Sequence, residues 1–219
     1  MTAPAPLPVP GAPWIAARCA QAAVVAVVAV DLARAVSVGP RPRHALPAGA
    51  WFTPVLVWGT MLSAAVFLVW FARCRRNAHL LSHGTVKGFS PAWGVLAWLI
   101  PVVNLWVPRV LVQDVLRAST PGDGAAARSD ALVNVWWGVW VAHVLFAPTG
   151  TWYGVGGSLP AEVAAEVLYG AAAVLAVAVI QRVTARQAAG IAAGAVAPAG
   201  ALPPAGAVAP APAGPPRTP

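Results

Sequence analysis

The 219-residue chain is 59% hydrophobic and only 9% charged, against roughly 25% charged residues in an ordinary soluble domain. Lys and Arg number 14 against 6 Asp and Glu, a formal charge of +8, and because the basic residues sit beside apolar runs they point to an anionic membrane surface and away from nucleic acid. The composition excludes a soluble globular domain, and Cys19 and Cys74, with no CxxC or Cys/His spacing around them, offer neither a disulfide framework nor a metal site.

Residues 1–13, MTAPAPLPVPGAP, are charge-free apart from the terminus and carry a proline every few positions. Such a tract stays extended or disordered. It lacks the basic n-region of a secretory signal, so the first apolar helix is expected to be retained. That helix is predicted from about Trp14 to Val36. Its uncharged centre, Cys19 to Val30, is shorter than the roughly 20 residues a span requires, which places Arg18 and Asp31 near opposite interfaces. Asp31 and Arg34, three apart on one face, are positioned to pair.

After a basic loop at residues 39–50 comes the cleanest span, 51–71, with Trp51 and Trp70 near its two ends as in an interfacial aromatic belt. Pro54 lies in its first turn, where proline costs least. Arg73, Arg75 and Arg76 follow at once, candidate contacts for anionic lipid headgroups, each contributing on the order of 1 kcal/mol near such a surface. His79 and His83 lack the nearby glutamate or third ligand that a zinc site needs.

The stretch SPAWGVLAWLIPVVNLWVPRVLVQDVLRAS, residues 90–119, is apolar enough to enter a bilayer, yet Pro101, Asn104, Pro108 and Arg109 interrupt it. An interior proline removes a helix hydrogen bond and clashes with the preceding turn, and irregular backbone at membrane depth requires protein or trapped water to satisfy it. The stretch therefore reads as a broken, re-entrant segment. Its second half, Leu105 to Leu116, has the spacing of an amphipathic, surface-lying helix. A polar loop over 120–130 with a turn signal at Pro121 to Gly124 follows.

A third span is predicted over 131–147, entered through Asp130 as N-cap and stopped before Pro148, with Trp136, Trp137 and Trp140 along it and His143 as a packing residue. The fourth is expected over 160–183, within a helix running to Arg186. Glu162 and Glu166 near its start face the positive end of the helix dipole. Residues 187–219, Ala/Pro/Gly-rich, are expected to be disordered. The organisation is thus a disordered 1–13, a helical membrane domain over 14–186 with the broken segment at 91–118, and a tail.

Basic loops gather on the cytoplasmic side. If the central segment crossed the membrane, Arg73, Arg75, Arg76 and Lys87 would be forced outside. If it dips in and returns, they stay inside and both termini are cytoplasmic. The fold expected is therefore an all-α membrane protein, a bundle of four transmembrane helices plus a Pro-broken re-entrant and amphipathic segment, in the cell membrane. Five kinked spans are the alternative.

The ordered combination FLVWFARCRRNA (67–78), the central stretch, and NVWWGVW (134–140) resembles a bacterial membrane family known as domain of unknown function 4328. The matching positions are Trp70, Arg73, Asn77, Pro91, Trp93, Trp98, Pro101, Asn104, Trp106, Pro108, Arg117, Trp136 and Trp137, while Arg109 stands where an aromatic is expected. The resemblance implies a multi-pass membrane protein and supplies no activity.

No GxSxG, HExxH, GxxxxGK or paired-aspartate signature is present, so neither catalysis nor a cofactor is expected. Two functions remain open. One is a non-catalytic scaffold or regulatory protein held on anionic lipid or on a membrane-protein partner or second copy, in which Pro101, Asn104 and Pro108 fix a shape, Asn104 bonds freed backbone groups, and Trp93, Trp98, Trp106, Trp136 and Trp137 wedge or anchor at the interface. The other is a small-solute or ion pathway in which the broken segment exposes backbone carbonyls and Asn104 to a wet cavity, with Asp31 as the charged gate.

Overall fold

The computed structural model of the protein describes residues 11–38, 51–81, 94, 96–98, 100, 102–119, 124–146 and 159–196. Lys87, Pro91, Trp93 and Pro101 lie outside the described residues, as do the N-terminal ten residues and those after Val196.

Five α-helices make up the described chain: α1 (Trp14–Val38), α2 (Phe52–Leu81), α3 (Val107–Ala118), α4 (Gly124–Phe146) and α5 (Leu159–Val196), with a 3-10 turn at Val103–Leu105 ahead of α3. Three of them, α1, α2 and α5, are long and apolar enough to cross a membrane, and α4 has a shorter apolar part, Ala131–Leu145. The protein is an all-helical membrane bundle, as the sequence implies.

Helix α1 contains no glycine or proline, and its Ala/Val composition gives it no reason to break between Pro13 and Val38. It lies along α2, where Gly59 lets the two approach: a methyl group there would sit 3.3 Å from Val27 Cγ2. Helices α4 and α5 pack side by side, and α1 closes against α5, tied by the Gln21 Nε2 bond to the Val177 carbonyl at 3.2 Å.

Two boundaries differ from the sequence expectation. Helix α4 begins at Gly124 and not at Ala131, because Ala125 to Ala127 are the strongest helix formers and extend the helix through the predicted loop; Asp130 is then an interior residue and not an N-cap. Helix α5 continues past Arg186 to Val196. Here alanines outweigh Gly190 and Gly194, and Gln187 is fully buried against α2, so the first ten residues of the expected tail are helical.

The central segment does not cross. A methyl group on Gly190 of α5 would lie 3.6 Å from Leu81 Cδ1, at the end of α2, and 3.5 Å from the Ser119 carbonyl oxygen, at the end of α3. The segment therefore leaves α2 and returns to α4 at one end of the bundle. The two flanks of the segment thus lie together at one end of the bundle, the placement that the re-entrant threading requires. Helix α3 is amphipathic, but it is not surface-lying: Pro108, Leu111, Val112, Gln113, Val115 and Leu116 are buried against α4, α2 and α5.

Candidate functional site: the junction of the re-entrant segment

The C-terminal half of α2 organises the site. Its residues at positions 70, 71, 74, 75, 77 and 78 are buried, a helical stripe wide enough to face two neighbours. One face meets α5 through polar contacts: Trp70 Nε1 donates to Thr184 Oγ1 at 3.1 Å, Gln187 Nε2 to the Cys74 carbonyl at 2.6 Å, and Asn77 Nδ2 to Gln187 Oε1 at 3.5 Å, while Asn77 Nδ2 also donates to the Gly11 carbonyl ahead of α1 at 3.1 Å. The Thr184 hydroxyl in turn donates to the Ile180 carbonyl at 2.8 Å. Buried polar groups stay inside when they are paired in this way.

The other face meets the re-entrant segment. Trp98 stands edge-on to Phe67 and Phe71, with ring centroids 5.0 and 5.6 Å apart, and edge-on to Trp137 of α4 at 5.9 Å. Trp136 and Trp140 extend the cluster around Trp137. Edge-to-face pairs of this kind contribute about 0.5–1.5 kcal/mol each beyond the area they bury. The descending limb is thus wedged between α2 and α4. On the way back, Trp137 Nε1 donates to the Leu105 carbonyl at 3.0 Å, and Arg109 Nε and Gln113 Nε2 both donate to Asn134 Oδ1 at 2.7 Å.

Arg75 sits where the two limbs meet α2. It is 8% exposed. Gly94 of the descending limb lies flat on its guanidinium, so close that a methyl group at Gly94 would be 2.9 Å from Cζ. Asp114 of α3 interacts with it electrostatically and is also 4.0 Å from Arg117. Arg73 and Arg76, on either side of Arg75, point outward and are exposed.

The site residues expected from the sequence separate accordingly. Trp70, Asn77, Trp98, Pro108, Trp136 and Trp137 converge on one buried junction. Arg73, Arg76 and Arg117 are exposed at the same end. Arg75 is not positioned for headgroups, since the segment covers it. Trp136 and Trp137 are core residues and Trp98 is wedged, half-buried, against them; Trp106 alone among the described tryptophans of this group is exposed, at 69%. Asn104 does not bond freed backbone: its Oδ1, like Trp98 Nε1, is buried with no partner among the described residues.

Four contributors were not singled out by the sequence: Gly94, Gln113, Thr184 and Gln187. The last two are polar residues three apart on α5, a spacing that marks one face, but Gln181, Arg182 and Arg186 around them mask it in the sequence. Gln187 fell beyond the expected end of α5. Gly94 carries no signal in a single sequence.

At the opposite end Asp31 Oδ1 accepts from Arg34 Nε at 2.7 Å, the pair expected from their spacing, and Arg34 Nη2 donates to Glu166 Oε1 at 2.9 Å. Glu166 thus has an ionic partner on α1, where dipole and solvent alone were expected. His143 packs as expected, stacked on Tyr169 at 4.9 Å with Nδ1 3.3 Å from the Ala165 carbonyl.

Among the described residues no group of three His, Cys, Asp or Glu side chains gathers to hold a metal. What the junction does chemically is hold a shape: aromatic packing, one buried cation and amide bonds fix the segment between α2 and α4. No curated protein and no solved structure matches the chain. The family described as domain of unknown function (DUF4328) matches residues 48–187, most of the chain and all of this junction, and the protein belongs to that family.

Proposed function

We propose that the protein is a non-catalytic scaffold or regulatory membrane protein that holds a rigid re-entrant segment against the cytoplasmic leaflet and binds anionic lipid there. The observation that carries this reading is the distribution of charge. At the end where the segment enters, Arg73, Arg76, Arg117 and Arg182 are exposed, and the acid among the described side chains there, Asp114, already faces Arg75 and Arg117. At the other end Asp31 and Glu166 share Arg34. Positive charge gathers on the cytoplasmic side, and each exposed arginine contributes on the order of 1 kcal/mol near an anionic surface. The long stems of Arg73, Arg76 and Arg117 lie along apolar surface while their heads reach the phosphate layer.

A small-solute pathway through the broken segment is the weaker reading. Asn104 is half-buried with its Oδ1 unpartnered among the described residues, and the segment beside it is packed through Trp98 and Trp137.

The test is lipid retention. Protein purified from vesicles of mixed phosphatidylglycerol and phosphatidylcholine is expected to keep phosphatidylglycerol in excess of its bulk fraction, measured by mass spectrometry of co-purified lipid. Replacing Arg73, Arg76 and Arg117 together by Gln removes the excess without unfolding the bundle. Equal retention by both forms, or solute flux above that of empty vesicles, would overturn the proposal.

A further inference from the structure

The tip of the re-entrant segment is inverted relative to a water-facing turn. Its exposed side chains are apolar: Leu96, Ile100, Val102, Trp106 and Val110, with Val102 at 72% and Trp106 at 69%. Two of its polar side-chain atoms, Trp98 Nε1 and Asn104 Oδ1, are buried with no partner among the described residues, and Arg109, at its far edge, is bonded to Asn134 of α4. In water the order would be reversed, since a free amide and indole N–H gain from solvation and a bare valine does not.

The backbone of the tip is compatible with an apolar surrounding. Ile100 N–H bonds to the Leu96 carbonyl at 3.3 Å, Asn104 to Ile100 at 2.7 Å, Leu105 to Val102 at 3.2 Å and Trp106 to Val103 at 3.1 Å. These four donors are satisfied within the tip, in the way hydrocarbon demands of backbone that enters it.

Depth identifies the hydrocarbon. Trp98 is level with Phe67 and Phe71, and Gly94 is level with Arg75. From Arg75 to Phe67 is eight positions, about 12 Å at about 1.5 Å per residue, and one leaflet contributes about half of a core of about 30 Å. The exposed side chains of the tip are continuous in character with the exposed apolar flanks of the spanning helices, such as Trp58 and Leu62 of α2 and Val174 of α5.

We propose that the apolar side chains of the tip, Leu96, Ile100, Val102 and Trp106, are immersed in the acyl chains of the leaflet at the arginine-rich end, with Trp106 as its lipid-facing anchor. The bundle then has a larger cross-section in that leaflet than in the other. This rests on the membrane orientation proposed above only for which leaflet is meant. The occupant is lipid, not a second copy and not water.

The test places a nitroxide at the tip of the full chain in phosphatidylglycerol/phosphatidylcholine vesicles. Trp106→Cys is labelled in a Cys19→Ser background, because Cys19 is exposed and Cys74 is buried; Val102→Cys is made in parallel in case loss of the indole disturbs folding. Labels at Val174→Cys and Arg117→Cys give the hydrocarbon and headgroup references. The expected result is a collision ratio for oxygen over a water-soluble nickel chelate matching that at Val174. A ratio at or below that at Arg117 shows an aqueous crevice and overturns the proposal. Spin-spin broadening that disappears on dilution with unlabelled protein shows a second copy on the tip and overturns it as well. Failure of anionic-lipid retention would sink the scaffold reading and leave these ratios unchanged, so the two fail separately.

Discussion

A buried arginine facing an acid on another helix is an exacting arrangement. Arg75 is covered by Gly94 and faces Asp114. Removing one partner of a buried pair costs roughly 3–5 kcal/mol because the other is left uncompensated. Asp114 keeps 35% of its side-chain exposure, so Asp114→Asn is expected at or below the low end of that range. Arg75→Met is expected to lower thermal stability in detergent more than Arg73→Met, and the Arg75→Met/Asp114→Asn pair to cost less than the sum of the two, a non-zero coupling in a double-mutant cycle. Glycines give a second contrast. A methyl group at Gly94 collides with the guanidinium, whereas at Gly138 it meets nothing within 4 Å. Gly94→Ala should therefore lower the melting temperature, while Gly138→Ala should leave it unchanged or raise it by the helix preference for alanine, about 1 kcal/mol at most.

Elements were legible in the sequence to the degree that their own residues dictate them. The spans read directly from uncharged length, and Pro101, Asn104 and Pro108 marked the central stretch as broken before any contact was known. The Asp31 and Arg34 spacing gave their ion pair. What could not be read were partners supplied by distant helices: Glu166 for Arg34, Gln187 for the Cys74 carbonyl, and the cover that makes Arg75 a core residue while Arg73 and Arg76 stay outside. Helix ends were misplaced where alanine continued a helix beyond its last charged residue, at Gly124 and at Val196. The second of these has a measurable consequence. Ending the chain after Arg186 removes Gln187 and its bond to α2, and interhelical hydrogen bonds in membranes contribute about 0.6 kcal/mol on average and up to about 1.7. A chain ended after Val196 should melt with the full-length protein, and one ended after Arg186 should melt below it.

For the whole molecule, the threading makes a prediction that no single contact does. Leu81 and Ser119 both lie beside Gly190, so positions before and after the re-entrant segment share a membrane face. In a Cys19→Ser background, Arg73→Cys and Arg117→Cys should react with a membrane-impermeant thiol reagent from the same side, and Trp51→Cys, exposed at the other end of α2, from the opposite side. Reaction of Arg73→Cys and Arg117→Cys from opposite sides would mean that the segment crosses, and would undo the junction with it.

Trp98 and Leu105 are held by Trp137, which is synthesised after them, and by Phe67 and Phe71, synthesised before. During biogenesis the central stretch therefore emerges with only half of its socket in place. It must wait, loosely sheltered beside α2, until α4 arrives to clamp it. Insertion of this protein is then ordered in time: the flanking helices enter first, and the segment between them settles last.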